Sequence, residues 1–161
     1  MDRRIAELVV AAALRVCGAG VAIRWVKGWR AAGSKFPLVR VRMALLDHLW
    51  RGSPMYLAPG DQGIGNRAEK LRVYLGAGPG PHELDAPEGV FGDGSVGFID
   101  GRHRVSVLRD LGVREIAVAV PPENVQEFLK ATQGKLVSGN SVTLSWRPSV
   151  SCRSGASRIE P

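Results

Sequence analysis

A short cationic turn is the part of this sequence whose residue types are best suited to chemistry. It reads Gly101-Arg102-His103-Arg104 and lies between an apolar run and an amphipathic stretch. The first amides of a helix have no partner within it and carry the positive end of its dipole, so a helix beginning here would bind anions. Arginine adds a planar fork that can donate two hydrogen bonds to one phosphate. We therefore predict that Gly101, Arg102, His103 and Arg104 bind a phosphate group.

Strand and helix patterns on either side would position this turn. Residues 96–99 are typical of a strand ending at Asp100, and we expect Asp100 to cap the helix that follows. Apolar residues then recur at the three-residue steps of a helix, and Gly112 is placed to end it. Residues 115–120 predict the next strand. We expect the two strands to be neighbours in a sheet, with their relative direction left open.

The segment from Val96 to Val120 resembles the core motif of the ParB/sulfiredoxin superfamily. It has the same order of strand, G-x-H-R turn, helix, Leu-Gly and strand, with the turn read here as Asp-Gly-Arg-His-Arg at 100–104, and it covers about 25 of the 161 residues. The resemblance implies a small single α+β domain of ParB/sulfiredoxin type, with a mixed sheet and flanking helices. It also implies that the turn holds the phosphates of a nucleotide or of a nucleic acid backbone.

Two departures from the motif narrow what the resemblance implies. Arg102 stands where sulfiredoxins carry their reactive cysteine, which excludes reduction of a cysteine sulfinic acid. The same residue replaces the glutamate of partition-type ParB proteins, which argues against CTP hydrolysis of that kind. No obvious helix-turn-helix domain follows the motif, which argues against centromere-type DNA recognition. In size, basicity and the placing of Asp-Gly-Arg-His-Arg, the chain resembles the single-domain plasmid fertility inhibition factors. That likeness implies ATP- and DNA-hydrolysing activity and a block on conjugative or oncogenic DNA transfer, with DNA, a nucleotide and a coupling component of the conjugative secretion system as partners.

Hydrolysis would need groups that move protons or stabilise charge. His103 has three interpretations that stay open: a donor to phosphate, a general acid or base, or a side chain packed under a loop with one nitrogen bonded to a backbone carbonyl. We name His103, Glu69 and Asp100 as catalytic candidates. Mg²⁺ could assist, but the acids between positions 61 and 93 have no diagnostic spacing, so metal ligands stay unassigned. ATP or another nucleotide is the expected cofactor, although a Walker-type phosphate loop is absent from the sequence.

The charge distribution favours an anionic partner such as DNA. The net charge is +7, with basic flanks around a more acidic middle. Candidate DNA contacts are Arg24, Lys27, Arg30 and Arg67. Tryptophans interleaved with some of these basic residues could stack on bases, although packing in the core is the preferred interpretation. The segment Gly63-Ile64-Gly65-Asn66-Arg67 could form a second anion-binding turn. The alternative function is a non-catalytic inhibitor that binds DNA or a secretion component.

Length and composition predict one domain over residues 1–146 and a disordered tail over 147–161. Two cysteines without metal-site spacing fit the bacterial cytoplasm, and basic residues near the N-terminus could attach the chain to the inner face of a membrane. We expect no transmembrane segment. The other predicted elements are helices at 5–16, 43–50, about 67–75 after a cap at Asn66, and 123–131; strands at 21–26, 38–41, 55–57 and 142–146; and a long loop at 76–94.

Overall fold

The computed structural model describes residues 20–28, 36–61, 63–78 and 80–147. These residues form two mixed β-sheets and four α-helices, which confirms the predicted small α+β fold. The predicted helix at 5–16 and the tail beyond residue 147 lie outside the described residues. The boundary between domain and tail therefore stays a prediction.

The smaller sheet consists of β1 (Val21–Val26), β3 (His82–Asp85) and β8 (Ser141–Trp146), in the order β3-β1-β8. The central strand β1 is parallel to β3 and antiparallel to β8. Along β1, Val21, Ile23 and Trp25 are buried and alternate with more exposed residues, as a half-buried strand requires.

The larger sheet consists of β2 (Leu38–Arg42), β4 (Glu88–Gly92), β5 (Ser95–Asp100), β6 (Glu115–Ala119) and β7 (Lys135–Leu136). Their order in the sheet is β5-β4-β6-β2-β7. Strand β4 is antiparallel to β5 and parallel to β6, and β2 is antiparallel to both β6 and β7.

The helix after the cationic turn ends as the sequence predicts. Gly112 has φ +78° and its N–H donates to the carbonyl of Arg109 at 2.9 Å, while the Val113 N–H donates to the carbonyl of Leu108 at 2.9 Å. This pair of bonds is a Schellman motif, and glycine suits its left-handed residue. The helices are α1 (Met43–Trp50), α2 (Arg67–Gly76), α3 (Arg102–Asp110) and α4 (Val125–Thr132), with a 3₁₀ turn at Pro122–Asn124 before α4.

Three sequence predictions about the fold are wrong. Residues 55–57 form no strand, and the predicted loop at 76–94 contains β3 and β4. The strands before and after α3 are not neighbours, because β4 lies between them. Short strands that contain glycines or acids, as β3 and β4 do, carry little intrinsic signal, and their pairing depends on partners distant in sequence. The connection 86–87 passes from one sheet to the other, with the Ala86 N–H bonded to the Val26 carbonyl and the Ala119 N–H bonded to the Pro87 carbonyl.

One hydrophobic cluster contains residues of both sheets. Trp25 and Trp50 are fully buried and Trp146 is 7% exposed, so these three rings pack in the core, in agreement with the preferred interpretation, instead of offering stacking surfaces. The part of the chain that the structure describes has no helix long and apolar enough to cross a membrane.

Candidate functional site

The predicted turn sits between β5 and α3. Gly101 is the residue before the helix, with φ +85°, and a Cβ there would lie 2.7 Å from the Pro87 Cβ and 2.8 Å from the Arg104 Nη2. Only glycine fits both the backbone conformation and the space. Because Gly101 occupies the capping position, the prediction that Asp100 caps α3 is wrong, and α3 has no side-chain cap. The Asp100 carboxylate instead accepts a hydrogen bond from Arg104 Nη2 at 2.9 Å.

The two arginines of the turn have different surroundings. Arg102 donates from Nη1 to the sulfur of Met55 at 3.4 Å, a weak acceptor, and has no carboxylate partner among the described residues. Arg104 is paired with Asp100, its side chain is 24% exposed, and its buried Nε has no hydrogen-bond partner in the described part of the chain. Arg102 therefore retains most of its donors for an anion, whereas the charge of Arg104 is partly neutralised.

His103 packs beneath a loop formed by residues 63–66, which we call the glycine loop. The Ile64 N–H donates to His103 Nε2 at 3.2 Å, and a Cβ on Gly63 would lie 2.4 Å from His103 Cδ2. An amide can only donate, so Nε2 uses its lone pair here, and a neutral ring then carries its proton on Nδ1. Of the three interpretations, packing under a loop is observed, with a backbone N–H as partner and not a carbonyl. The lone pair of Nε2 cannot act as a base while this bond is made.

The second predicted anion-binding turn, the glycine loop with Arg67, lies close to the cationic turn. Burial lowers the pKa of His103, and the charges of Arg102 and Arg67 lower it further, whereas Asp61 and Asp100 raise it to a smaller extent. Arg67 is the exposed first residue of α2 and has no carboxylate partner among the described residues. The glycine loop therefore contacts the cationic turn, and Arg67 lies close enough to His103 for its charge to act on the imidazole together with that of Arg102.

The three catalytic candidates do not form a hydrogen-bonded set. Glu69 is exposed in the first turn of α2, and its side chain has no hydrogen-bond or ion-pair partner among the described residues. A carboxylate at this position is also stabilised by the helix dipole alone. Asp100 is 51% exposed and paired with Arg104. His103 bonds to the glycine loop, so no described contact joins any two of the three.

Only one DNA-binding candidate among the described residues lies at the turn. Arg67 is next to His103, as above, but Arg24 belongs to the smaller sheet, where its Nη1 donates to Glu83 at 2.6 Å. Lys27 follows the same strand and is partly buried. Arg30 lies outside the described residues.

A carboxylate that the sequence analysis placed in a loop lies near the turn. Glu88 is 7% exposed on β4 and is paired in register with Asp100 on β5. Residues 20–28, 36–61, 63–78 and 80–147 contain no group of three or more His, Cys, Asp or Glu that could hold a metal ion. Mg²⁺ commonly takes only one or two carboxylates besides phosphate oxygens and waters.

Sequence reasoning missed a buried ion pair near the C-terminal end of α3. Arg109 Nη1 donates to Asp47 Oδ1 at 2.9 Å and to the Leu57 carbonyl at 2.6 Å, and both side chains of the pair are at least nine-tenths buried. Burial alone raises the pKa of Asp47, but hydrogen bonds from Arg109, Arg51 and Tyr56 outweigh it and leave that pKa below its usual range. The spacing of Asp47 and Arg51 on one helix face is the only trace of this network in the sequence.

The ion pair joins the elements that hold the site. Arg109 lies 5.8 Å from the ring centre of Trp50 and 5.5 Å from that of Tyr56, distances typical of cation–π contacts. Its Nε and Nη2 donate to Asp110 Oδ1 at 3.0 Å, and Asp110 Oδ2 accepts the Gly60 N–H at 3.0 Å. The network thus ties α3 to α1 and to the segment that leads into the glycine loop.

Replacing Gly101 by alanine tests how far the turn depends on glycine. Gly101→Ala is expected to lower the free energy of unfolding by about 1–3 kcal/mol, because the positive φ and the approach of Pro87 both oppose a Cβ. Gly94→Ala is the matched control: Gly94 has φ +74°, but a Cβ added there would meet nothing within 4 Å. Urea denaturation of both variants measures the difference. Equal losses would mean that the contact with Pro87 has no cost.

Comparison with known proteins gives the site no outside support. No protein-family model matches this chain, no curated protein matches it, and no solved structure matches it. What can be concluded about the site therefore comes from its own residues.

Proposed function

We propose that this protein binds a phosphate-bearing ligand, a nucleotide or DNA, at the turn 101–104 and the facing start of α2. In this proposal it is a plasmid-encoded fertility inhibition factor that blocks conjugative or oncogenic DNA transfer and hydrolyses ATP and DNA at this turn. The observation that carries the binding proposal is the pair Arg67 and Arg102, both beside His103 and both without a carboxylate partner in the described residues. The proposed biological role rests on the resemblance of residues 96–120 to the ParB/sulfiredoxin superfamily.

The repulsion between these groups supports an anionic ligand. Two guanidinium charges close to one imidazole repel each other and its protonated form, and each lowers the pKa of His103. An anion placed between them offsets that repulsion. The free amides at the start of α3 add donors that need no side chain.

Two helix starts at one surface favour a ligand with more than one phosphate group. Arg67 is the first residue of α2 and Arg102 is the first residue of α3. Each helix N-terminus carries about half a positive charge. A nucleoside triphosphate, or two successive phosphates of a DNA strand, offers separate oxyanions to the two ends.

The alternative is a non-catalytic inhibitor that binds DNA or a component of the secretion system through the same charges. One observation favours it: His103 Nε2 is already bonded to the glycine loop, and neither Glu69 nor Asp100 contacts His103. Binding needs only the arginines, whereas hydrolysis needs a group that activates water.

Hydrolysis assays separate the two functions. Wild-type protein is incubated with labelled ATP and with single- and double-stranded DNA, with and without Mg²⁺, alongside Arg102→Ala/Arg104→Ala. We expect turnover in the wild type and its loss in the double variant, with an unchanged circular dichroism spectrum. Arg114→Ala is the matched control, since Arg114 is exposed beyond the C-terminal end of α3, about 13 Å or more from its start. Turnover retained in the double variant contradicts the site, and absent turnover with retained binding supports the inhibitor.

A further inference from the structure

The contact between His103 and the glycine loop has a consequence for how the site responds to its ligand. The imidazole accepts the Ile64 N–H at 3.2 Å through Nε2. If that nitrogen gains a proton, it becomes a donor that faces another donor, and the hydrogen bond is lost. The bond therefore exists only in the neutral form of His103.

Protonation would also displace the loop, because the two are in close contact. Gly63 approaches the ring so closely that its Cβ, if present, would lie 2.4 Å from Cδ2 and 2.5 Å from Nε2. A charged imidazole needs hydration or an acceptor at Nε2, and the loop leaves space for neither at this distance. Ile64 is 74% exposed, so moving the loop outward uncovers little apolar surface.

We infer that His103 is a latch that holds the glycine loop over the turn when neutral and releases it when protonated, and that an anion bound at Arg67 and Arg102 promotes the release. The effect of the anion rests on the proposed anion site, whereas the release by protonation does not. His103 is a positioning residue in this scheme: it controls access to the arginines and need not touch the ligand.

The charges around His103 give the sign of the coupling. Arg102 on its own helix and Arg67 on α2 oppose its protonation, and Asp61 in the preceding segment and Asp100 at the end of β5 favour it. An anion between the arginines offsets the two opposing charges, so it favours the protonated form. Coupling of this kind is reciprocal, so protonation of His103 must strengthen anion binding by the same factor.

Hydrogen exchange of the Ile64 amide tests the latch without any ligand. Because burial and the nearby arginines lower the pKa of His103, the imidazole protonates below the ordinary histidine value of about 6.5, and the protection factor of the Ile64 amide in the wild type is expected to fall at least about tenfold as the pH is lowered from about 7 to about 4. His103→Gln keeps an acceptor near Nε2 that does not titrate, so protection should stay constant. Gly63→Ala forces the loop off the ring, so protection should be low throughout. Protection that is independent of pH in the wild type, or that falls equally in His103→Gln, overturns the latch.

Sulfate tests the coupling, because its charge does not change in this pH range. The titration of the His103 ring protons followed by NMR is expected to move up by about one pH unit when sulfate is saturating. Binding of sulfate should take up protons in the wild type and none in His103→Gln. Bound sulfate with an unmoved titration overturns the coupling. If sulfate binds equally to the wild type and to Arg67→Ala/Arg102→Ala, the proposed anion site is wrong, while the Ile64 exchange result still decides the latch.

Discussion

Replacing Arg109 by alanine is expected to lower the free energy of unfolding by about 3–5 kcal/mol, the usual cost of removing one partner from a buried ion pair. Asp47 would lose a charged partner while remaining 6% exposed, and the Leu57 carbonyl would lose its 2.6 Å hydrogen bond. The free energy of unfolding of a small domain is only about 5–15 kcal/mol, so this variant should lose a large part of its stability. Equilibrium denaturation in urea, followed by tryptophan fluorescence, measures the loss.

Two controls separate the buried pair from arginine removal in general. Arg24→Ala breaks an ion pair whose side chains are 49% and 57% exposed, so it should cost at most about 1 kcal/mol. The double variant Asp47→Leu/Arg109→Met leaves neither charge unpaired and should be more stable than Arg109→Ala. If Arg109→Ala and Arg24→Ala cost the same, the buried network does not stabilise α3 as we describe.

Removing both unpaired arginines is expected to weaken binding of ATP or sulfate by about a hundredfold or more. Hydrogen bonds to charged groups contribute about 1.5–3 kcal/mol each, and Arg67 and Arg102 are the two such donors beside His103 without a carboxylate partner in the described residues. Calorimetric titration of Arg67→Ala/Arg102→Ala at low ionic strength measures the change. The unfolding free energy should change little, because neither side chain is buried.

Arg104→Ala tests whether an arginine of the same turn that already has a carboxylate partner contributes less to anion affinity than Arg102 does. Its guanidinium is already paired with Asp100 at 2.9 Å, so its loss should reduce anion affinity less than the loss of Arg102 does. Arg42→Ala removes an equal charge from β2, where the side chain bonds to Gln133, and should leave binding nearly unchanged. Binding that falls equally in all three single variants would indicate a response to net charge and not a site.

The buried pair and the surface arginines have separate tasks in this arrangement. Arg109 is saturated by protein acceptors and holds α3 in place. Arg102 is left with a weak acceptor, the sulfur of Met55. The first set of contacts should therefore determine stability, and the second should determine affinity. Variants of the two sets should have effects that add, because the two sets share no hydrogen-bond partner.

Much of the local structure is predictable because its signals are local. The alternation of Val21, Ile23 and Trp25 predicts β1, and the apolar pattern over 43–50 predicts α1 with its observed bounds. The turn after Asp100 and the glycine that ends α3 follow from residues within one or two helical turns. Propensity, periodicity and capping act over such distances, so a single sequence contains them.

Pairing and charge neutralisation are not predictable in the same way, because they depend on residues far apart in sequence. Sequence patterns miss β3 and β4, since these short segments are stabilised by β1, β5 and β6. Asp100 is a plausible cap for α3 by type alone, but the side chain of Arg104 reaches it and Gly101 takes the capping position. Arg109 has no sequence signal of its own, because its partner Asp47 is 62 residues away.

Residue types and their local order are enough to predict the class of the fold, the elements on either side of the cationic turn and a second glycine-rich turn. Folding in three dimensions was needed to bring the charges of Arg67 and Arg102 close to His103 and to cover His103 with the glycine loop. It also paired Arg24 with Glu83 in the smaller sheet, away from the turn. A residue's type limits what it can donate or accept, but burial and the charges brought near it by the chain determine which of those interactions it makes.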